Sequence, residues 1–445
     1  MNQKTTSKKH RSKKMRNVFV ILVLLFVLYF VFPMLLAHPF RHENKFCYYV
    51  TDVLFAPVEF FYQHVPWYAT YIDYQREFLD GIFEKEHQVL RNLPESGWPM
   101  KTDGPIFSLP CVTEDSLYFG SCDGCLYRVD KHTGNIIWKI TGFERIDSNP
   151  IIRKGVVYFM ANNSRMYAVS CETGDILWKK WIRGSGYNNP KFFNGNIFLI
   201  GYNQLAILSP EDGKIVQSCK IEDDGGAFCT SGNKIAIVVN KGRDYIDSMG
   251  KGAVVCYDYD RNVTTWSRKL GGSCFGPLVC DETNCYLGVR NGFFYAIEMQ
   301  KGSIAWKIDC RGLVDHNPSS GFVLPGDYII DMGQKIIFSV SCQDVESPAA
   351  LVCATKSDGK ILWTVEHPVQ ISGAFVLEGN RVIAVTEDCK LLSVNVDTGK
   401  SQVFSLLPNN DFGEFAGIIQ DEEYLFIVGA DAHVWRLNVS DVIIN

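Results

Sequence analysis

Many familiar catalytic signatures are missing from these 445 residues. There is no Gly-x-Ser-x-Gly, no His-Glu-x-x-His and no Walker A pattern, so nucleophile-elbow hydrolysis, zincin chemistry and P-loop phosphate binding have no support. Histidine is scarce, at nine, and scattered. Asp315-His316 is the pair of most interest, since a carboxylate beside a His can tune a general base. Neighbours in sequence usually point apart, however, and a solvated loop His is the simpler reading. No Cys-Cys dipeptide occurs. No His follows Cys125 in Cys122-Asp123-Gly124-Cys125, which excludes c-type haem attachment, and no second Cys-x-x-Cys completes a four-cysteine metal site. Asp-Gly is a two-residue hairpin turn, so Cys122 and Cys125 flank a turn between strands. They read as unpaired structural thiols, a candidate local disulfide or a redox pair. Cys280 and Cys285 carry the same ambiguity. Fifteen cysteines is many for a cytosolic chain and suits an exported one. The odd number leaves at least one unpaired within the chain.

Acidic residues are missing from the first sixteen positions, which hold seven of the 44 Lys and Arg. The remainder carries 37 against 49 Asp and Glu, so the body is acidic. A nucleic-acid binder should show a basic body, and no nucleic-acid partner is expected. Charge is absent altogether from residues 18–37, VFVILVLLFVLYFVFPMLLA. Twenty helical residues cross the roughly 30 Å hydrocarbon layer. The run exceeds a signal-peptide core, and Leu35-Leu36-Ala37 is a poor cleavage site. No lipobox follows. The sequence therefore predicts a basic cytoplasmic tail at 1–17 and an uncleaved transmembrane signal anchor at 18–37. The positive-inside bias places everything after it outside the membrane, in the periplasm of a double-membrane cell.

Residues 38–97 read as an aromatic-rich, helical, membrane-proximal linker. Tyr71, Tyr74, Phe78, Ile82, Val89 and Leu93 fall at helical spacing between Pro66 and Pro94, which predicts one helix over residues 67–93.

Beyond this the chain repeats itself. Leu-Tyr-Arg-Val-Asp-Lys-His-Thr-Gly-Asn-Ile-Ile-Trp-Lys begins at Leu126, and Met-Tyr-Ala-Val-Ser-Cys-Glu-Thr-Gly-Asp-Ile-Leu-Trp-Lys begins at Met166, forty residues later. A fixed period of this length is one supersecondary unit copied around a ring or along a stack. Each unit reads as four short strands with Gly turns between them. Eight second strands are expected, near Leu117, Val156, Ile197, Ile235, Tyr286, Ile336, Val382 and Leu425. The last unit lacks a fourth strand, and a ring must close or leave an open edge. Residues near 94–102, around Trp98, are expected to supply it. The prediction is an all-β, eight-bladed propeller of four-stranded blades over residues 98–445, preceded by a transmembrane helix and a short helical region.

The phrase Leu-Tyr-x-x-Asp-x-x-Thr-Gly-x-x-x-Trp resembles the PQQ-type propeller repeat, over residues 105–440. The resemblance extends to BamB-like outer-membrane assembly propellers and to quinoprotein dehydrogenases. It implies that Trp138, Trp178, Trp266, Trp306 and Trp363 dock neighbouring blades, and a large aromatic beside a Gly turn suits that role. The dehydrogenases of this family use a vicinal disulfide over the quinone, a Ca²⁺ beside it on Glu, Asn and Asp, and an Asp base. The missing Cys-Cys dipeptide and the absent long insertions disfavour that chemistry. No catalytic residue, cofactor or metal is assigned.

A non-catalytic platform asks less. Fourth-to-first connections and second-to-third hairpins share one face of such a ring. Its candidate channel-rim residues are Arg145, Asp147, Arg183, Tyr187, Asn188, Asp315, His316 and Glu414. Long hairpins at 240–252 and 342–349 lie on the same face, where extra loops often mark a binding surface. The expected role is a membrane-anchored, outward-facing scaffold for another envelope protein or polymer. A quinoprotein dehydrogenase and an extracytoplasmic sensor are the alternatives.

Overall fold

The computed structural model describes Tyr71 and residues 87–91, 93, 97–182, 189–201, 204–221, 224–241, 251–274, 276–314, 323–342, 348–371, 376–378, 380–405 and 416–442. The chain divides into two compact units, residues 1–86 and 87–445. Tyr71, the one described residue of the first unit, is helical. Residues 1–17 and 18–37 lie outside the described residues. Among the described residues no helix is long and apolar enough to cross a membrane.

The second unit is a ring of eight antiparallel sheets. Blade two is typical: Ile151–Arg153, Val156–Ala161, Arg165–Ser170 and Ile176–Trp181 run from the inside outward. The eight second strands start within two residues of the expected positions, from Ser116–Gly120 in blade one to Tyr424–Gly429 in blade eight. These strands are legible because Val, Ile, Phe and Tyr crowd them, and both faces of a middle strand are buried against neighbouring blades. The core therefore lies between sheets. Tyr118 and Trp138 of blade one meet Val157, Phe159 and Tyr167 of blade two in one cluster, each no more than 4% exposed.

The ring closes through the N-terminal side. Met100–Lys101 pairs with His433–Asn438, placing Met100 opposite Val434 and Lys101 opposite His433. Thr102 N then donates to Ala432 O at 2.9 Å. Met100 is buried with Phe426, Val428 and Val434, so closure buries apolar surface as well as pairing an edge.

One expectation fails. Residues 67–93 do not form one helix, because Gln88–Arg91 is a strand paired antiparallel with Ile136–Thr141 as a fifth, outermost member of blade one. The helical spacing of Val89 is outweighed by an open strand edge and an apolar seat. Val89 packs on the cluster around Trp138, and Arg91 donates from its guanidinium to Thr173 O of blade two.

Candidate functional site

The five repeat tryptophans all make the same contact. Each Nε1 donates to a backbone carbonyl of the following blade: Trp138 to Cys171 (3.1 Å), Trp178 to Pro210 (2.9 Å), Trp266 to Met299 (3.0 Å), Trp306 to Lys356 (2.9 Å) and Trp363 to Val396 (2.8 Å). Each ring also lies on the turn glycine of that blade, namely Gly174, Gly213, Gly302, Gly359 and Gly399. These contacts gather where third-to-fourth turns lie. Inter-blade ion pairs gather there too, with Lys131 Nζ 2.9 Å from Asp421 and Lys356 Nζ 2.6 Å from Asp281; Asp331 of its own blade is a second acceptor for Lys356, at 2.8 Å.

The opposite face carries the second-to-third hairpins and the connections between blades. At the join of blades one and two, Arg145 Nε lies 2.8 Å from Asp147 Oδ2, and its guanidinium sits 5.6 Å over the Phe107 ring. The Arg145 side chain is 43% exposed and that of Asp147 is 6% exposed. Asp147 also accepts from Asn162 Nδ2 at 3.0 Å and from the Cys122 thiol at 3.4 Å. A cation is thus presented to solvent on an aromatic seat while its counter-charge is held beneath. Such an arrangement suits recognition of polar or anionic groups by a preset side chain.

Beside it runs a backbone tie. Leu109 N donates to Asn149 Oδ1 and Asn149 N to Asn189 Oδ1, both at 2.7 Å. These asparagines precede prolines and link the inner ends of successive blades. Of the rim candidates, the structure brings together Arg145 and Asp147. Arg183, Tyr187, Asn188, Asp315, His316 and Glu414 lie outside the described residues, as do 242–250 and 343–347 of the long hairpins. Sequence reasoning missed Phe107 and Asn162. Phe107 stands forty residues before Asp147, so the period itself carried that signal.

The candidate disulfide between Cys122 and Cys125 is a further correction, because both thiols are free. Cys125 is buried with Ile106, Tyr127 and Phe426, whereas Cys122 faces Asp147, so the turn points them apart. Burial, then the Asp147 charge, pushes the Cys122 thiol up to about 12 despite Arg145. Burial and the Asp123 charge do the same for Cys125, also to about 12. Neither supplies a thiolate near neutral pH, which removes the redox-pair reading. The disulfide among the described residues joins Cys229 to Cys280.

The family described as outer membrane protein assembly factor BamB matches residues 92–308 and 326–403. The chain belongs to that family. No curated protein sequence matches it. Among solved structures, the computationally designed Ika8 protein shares 12% identity, with 76% of this chain and 98% of that one aligned at a TM-score of 0.60. BamB from Moraxella catarrhalis shares 13%, covering 79% and 100%, with a TM-score of 0.55. Quinohemoprotein alcohol dehydrogenase from Comamonas testosteroni shares 14%, covering 78% and 73%, with a TM-score of 0.53. At such identities the likeness shows the ring and leaves activity open.

The sequence has no adjacent cysteine pair to cover a quinone. Among the described residues no group of three or more His, Cys, Asp or Glu is arranged to hold a metal ion. The disulfide spans 51 residues instead of two adjacent ones. No step is derived through that cofactor.

Proposed function

We propose that this BamB-family propeller is a binding platform without chemistry of its own, held to a membrane by residues 18–37 with its ring outside. Its partner is another envelope protein or an envelope polymer. The observation that carries the reading is the family match across both halves of the ring. The division of labour between faces supports it: the docking tryptophans and the ion pairs that join blades occupy one face, and the opposite face presents Arg145 on Phe107.

The test uses the blade-four hairpin. Lys241 and Lys251 are directly paired, so replacing residues 242–250 with Asn-Gly closes a two-residue turn without disturbing the ladder. The anchored wild-type chain is expected to recover a specific envelope partner in pulldown. The shortened chain, and separately Arg145→Ala, should recover at least tenfold less while keeping the wild-type melting temperature. Recovery unchanged in both variants would remove this face as the binding surface.

A further inference from the structure

Cys229 lies in Asp224–Ser231, the innermost strand of blade four, and Cys280 in Val279–Cys280, the innermost strand of blade five. Their Cα atoms are 5.9 Å apart, an ordinary separation for a disulfide. The blade-five strand is short. It has two ladder pairs, Val279 with Tyr286 and Cys280 with Cys285. Two pairs hold a strand weakly on the channel side, so a covalent tie to the eight-residue strand of blade four does there what hydrogen bonds do elsewhere. One residue before Cys229, Phe228 O accepts from Lys191 Nζ of blade three at 2.6 Å. The inner strands of three successive blades are therefore cross-tied at one level.

We infer that Cys229–Cys280 is a redox-controlled staple of the channel wall. It forms when the two thiols give two electrons and two protons to a disulfide-donating oxidant, and it opens when a small dithiol returns them. Cys280 is half-buried, so its sulfur is the one an external thiolate attacks, leaving Cys229 as the displaced thiolate. The surrounding thiols do not compete. Cys274 and Cys285 sit in the same cluster at 2% and 0% exposure. Burial pushes Cys274 up to about 12 and raises Cys285 as well, so neither offers a thiolate for reshuffling. The bond answers to the compartment. It rests on the outward placement proposed above, because such bonds persist in oxidising surroundings.

The experiment takes the full chain from its own membranes, with thiols blocked by iodoacetamide at lysis and digestion carried out without reductant. The expected result is a linked peptide pair containing Cys229 and Cys280 that disappears on dithiothreitol treatment, after which both cysteines become alkylated. Limited proteolysis of the native chain should then cut between blades four and five at least tenfold faster in reduced wild type, Cys229→Ser and Cys280→Ser than in the oxidised protein. Cys122→Ser should behave as wild type, before and after reduction. Finding both cysteines already alkylated at lysis, or cleavage indifferent to reduction, overturns the staple. Partner recovery unchanged in the hairpin and Arg145→Ala variants, with the linked peptide intact, would sink the platform and leave the staple standing. The converse result would do the reverse.

Discussion

Gly213 meets two demands at once. Its φ is +68°, and a Cβ there would lie 2.6 Å from Cε3 of Trp178. Gly155 shares the first demand, with φ +74°, and has nothing within 4 Å. The two positions separate backbone strain from docking. Gly155→Ala should cost about 1 kcal/mol, the penalty of a left-handed Ala. Gly213→Ala should cost about 3 kcal/mol, because overpacking against a fixed indole adds to that strain. Chemical denaturation at neutral pH measures both, and equal losses would show that the glycines serve only the turn. The Gly and Trp were legible in the sequence because they recur every forty residues, but that one is the seat of the other was not. A seat is a contact between units, and spacing reports only what recurs within them. The disulfide was illegible for a related reason. Cys280 was read against Cys285, its hairpin neighbour, whereas its partner Cys229 lies a whole blade away.

At the scale of elements, the seam between blades three and four explains why the repeat phrase degrades where it does. Gln217 stands four residues after Gly213, where a tryptophan is found in other blades, and Asn262 stands where the following blade would have its turn glycine. The two replacements belong together. Gln217 Nε2 donates to Tyr257 OH at 3.0 Å and to Tyr259 O at 3.1 Å, and it approaches Asn262 Oδ1 at 3.4 Å. Asn262 keeps the turn's left-handed backbone, with φ +58°, as Asn does more readily than other non-glycine residues. A polar latch thus replaces the indole on its seat. Gln217→Trp alone should destabilise, since the Asn262 side chain occupies the seat. Asn262→Gly alone should destabilise by removing the latch's acceptor. The double variant should recover most of the loss, with a coupling of about 1–3 kcal/mol in a double-mutant cycle. Additive losses would mean that the two breaks in the phrase are independent drift. The strand Gln88–Arg91 makes the opposite point about legibility. Its four residues fit a helical stripe and a strand equally well, and only the open outer edge of blade one, a tertiary feature, selects the strand.

Across the whole molecule, ring closure was foreseeable because a count of strands came up one short, and Met100–Lys101 fills the gap. What the count could not show is how charge reinforces the closed ring. Lys131 of blade one reaches Asp421 of blade eight across the closing seam, with side chains 12% and 13% exposed. Lys356 of blade six reaches Asp281 of blade five, with its own Asp331 as a second acceptor. Burial alone would raise the Asp281 carboxyl, but hydrogen bonds from Lys356, Asn284 N and Thr283 outweigh it and hold the group well below its ordinary 3.8. Asp421 is lowered against the same opposing burial by Lys131 and by the backbone of Tyr424 and Glu423. A carboxylate whose folded-state pKa is depressed contributes stability that is present above its unfolded value and is lost as pH falls through the folded one. The melting temperature should therefore stay nearly level from pH 7 to about 5 and fall below about 4, as the unfolded chain takes up protons that these seam carboxylates resist. Burial would lower Lys356, yet Asp281 and Asp331 raise it above 10.5. Its contribution is therefore full through neutral pH and is lost as pH climbs from 10.5 through that raised value. Asp281→Asn removes one titrating group and keeps the shape. It should lower the melting temperature at pH 7 and flatten the acid limb, so the gap between the variant and wild-type curves narrows steadily as pH falls below about 4. Parallel curves, separated by the same number of degrees at pH 7 and pH 2.5, would mean that Asp281 holds the seam by packing and neutral hydrogen bonds, with no part for its charge.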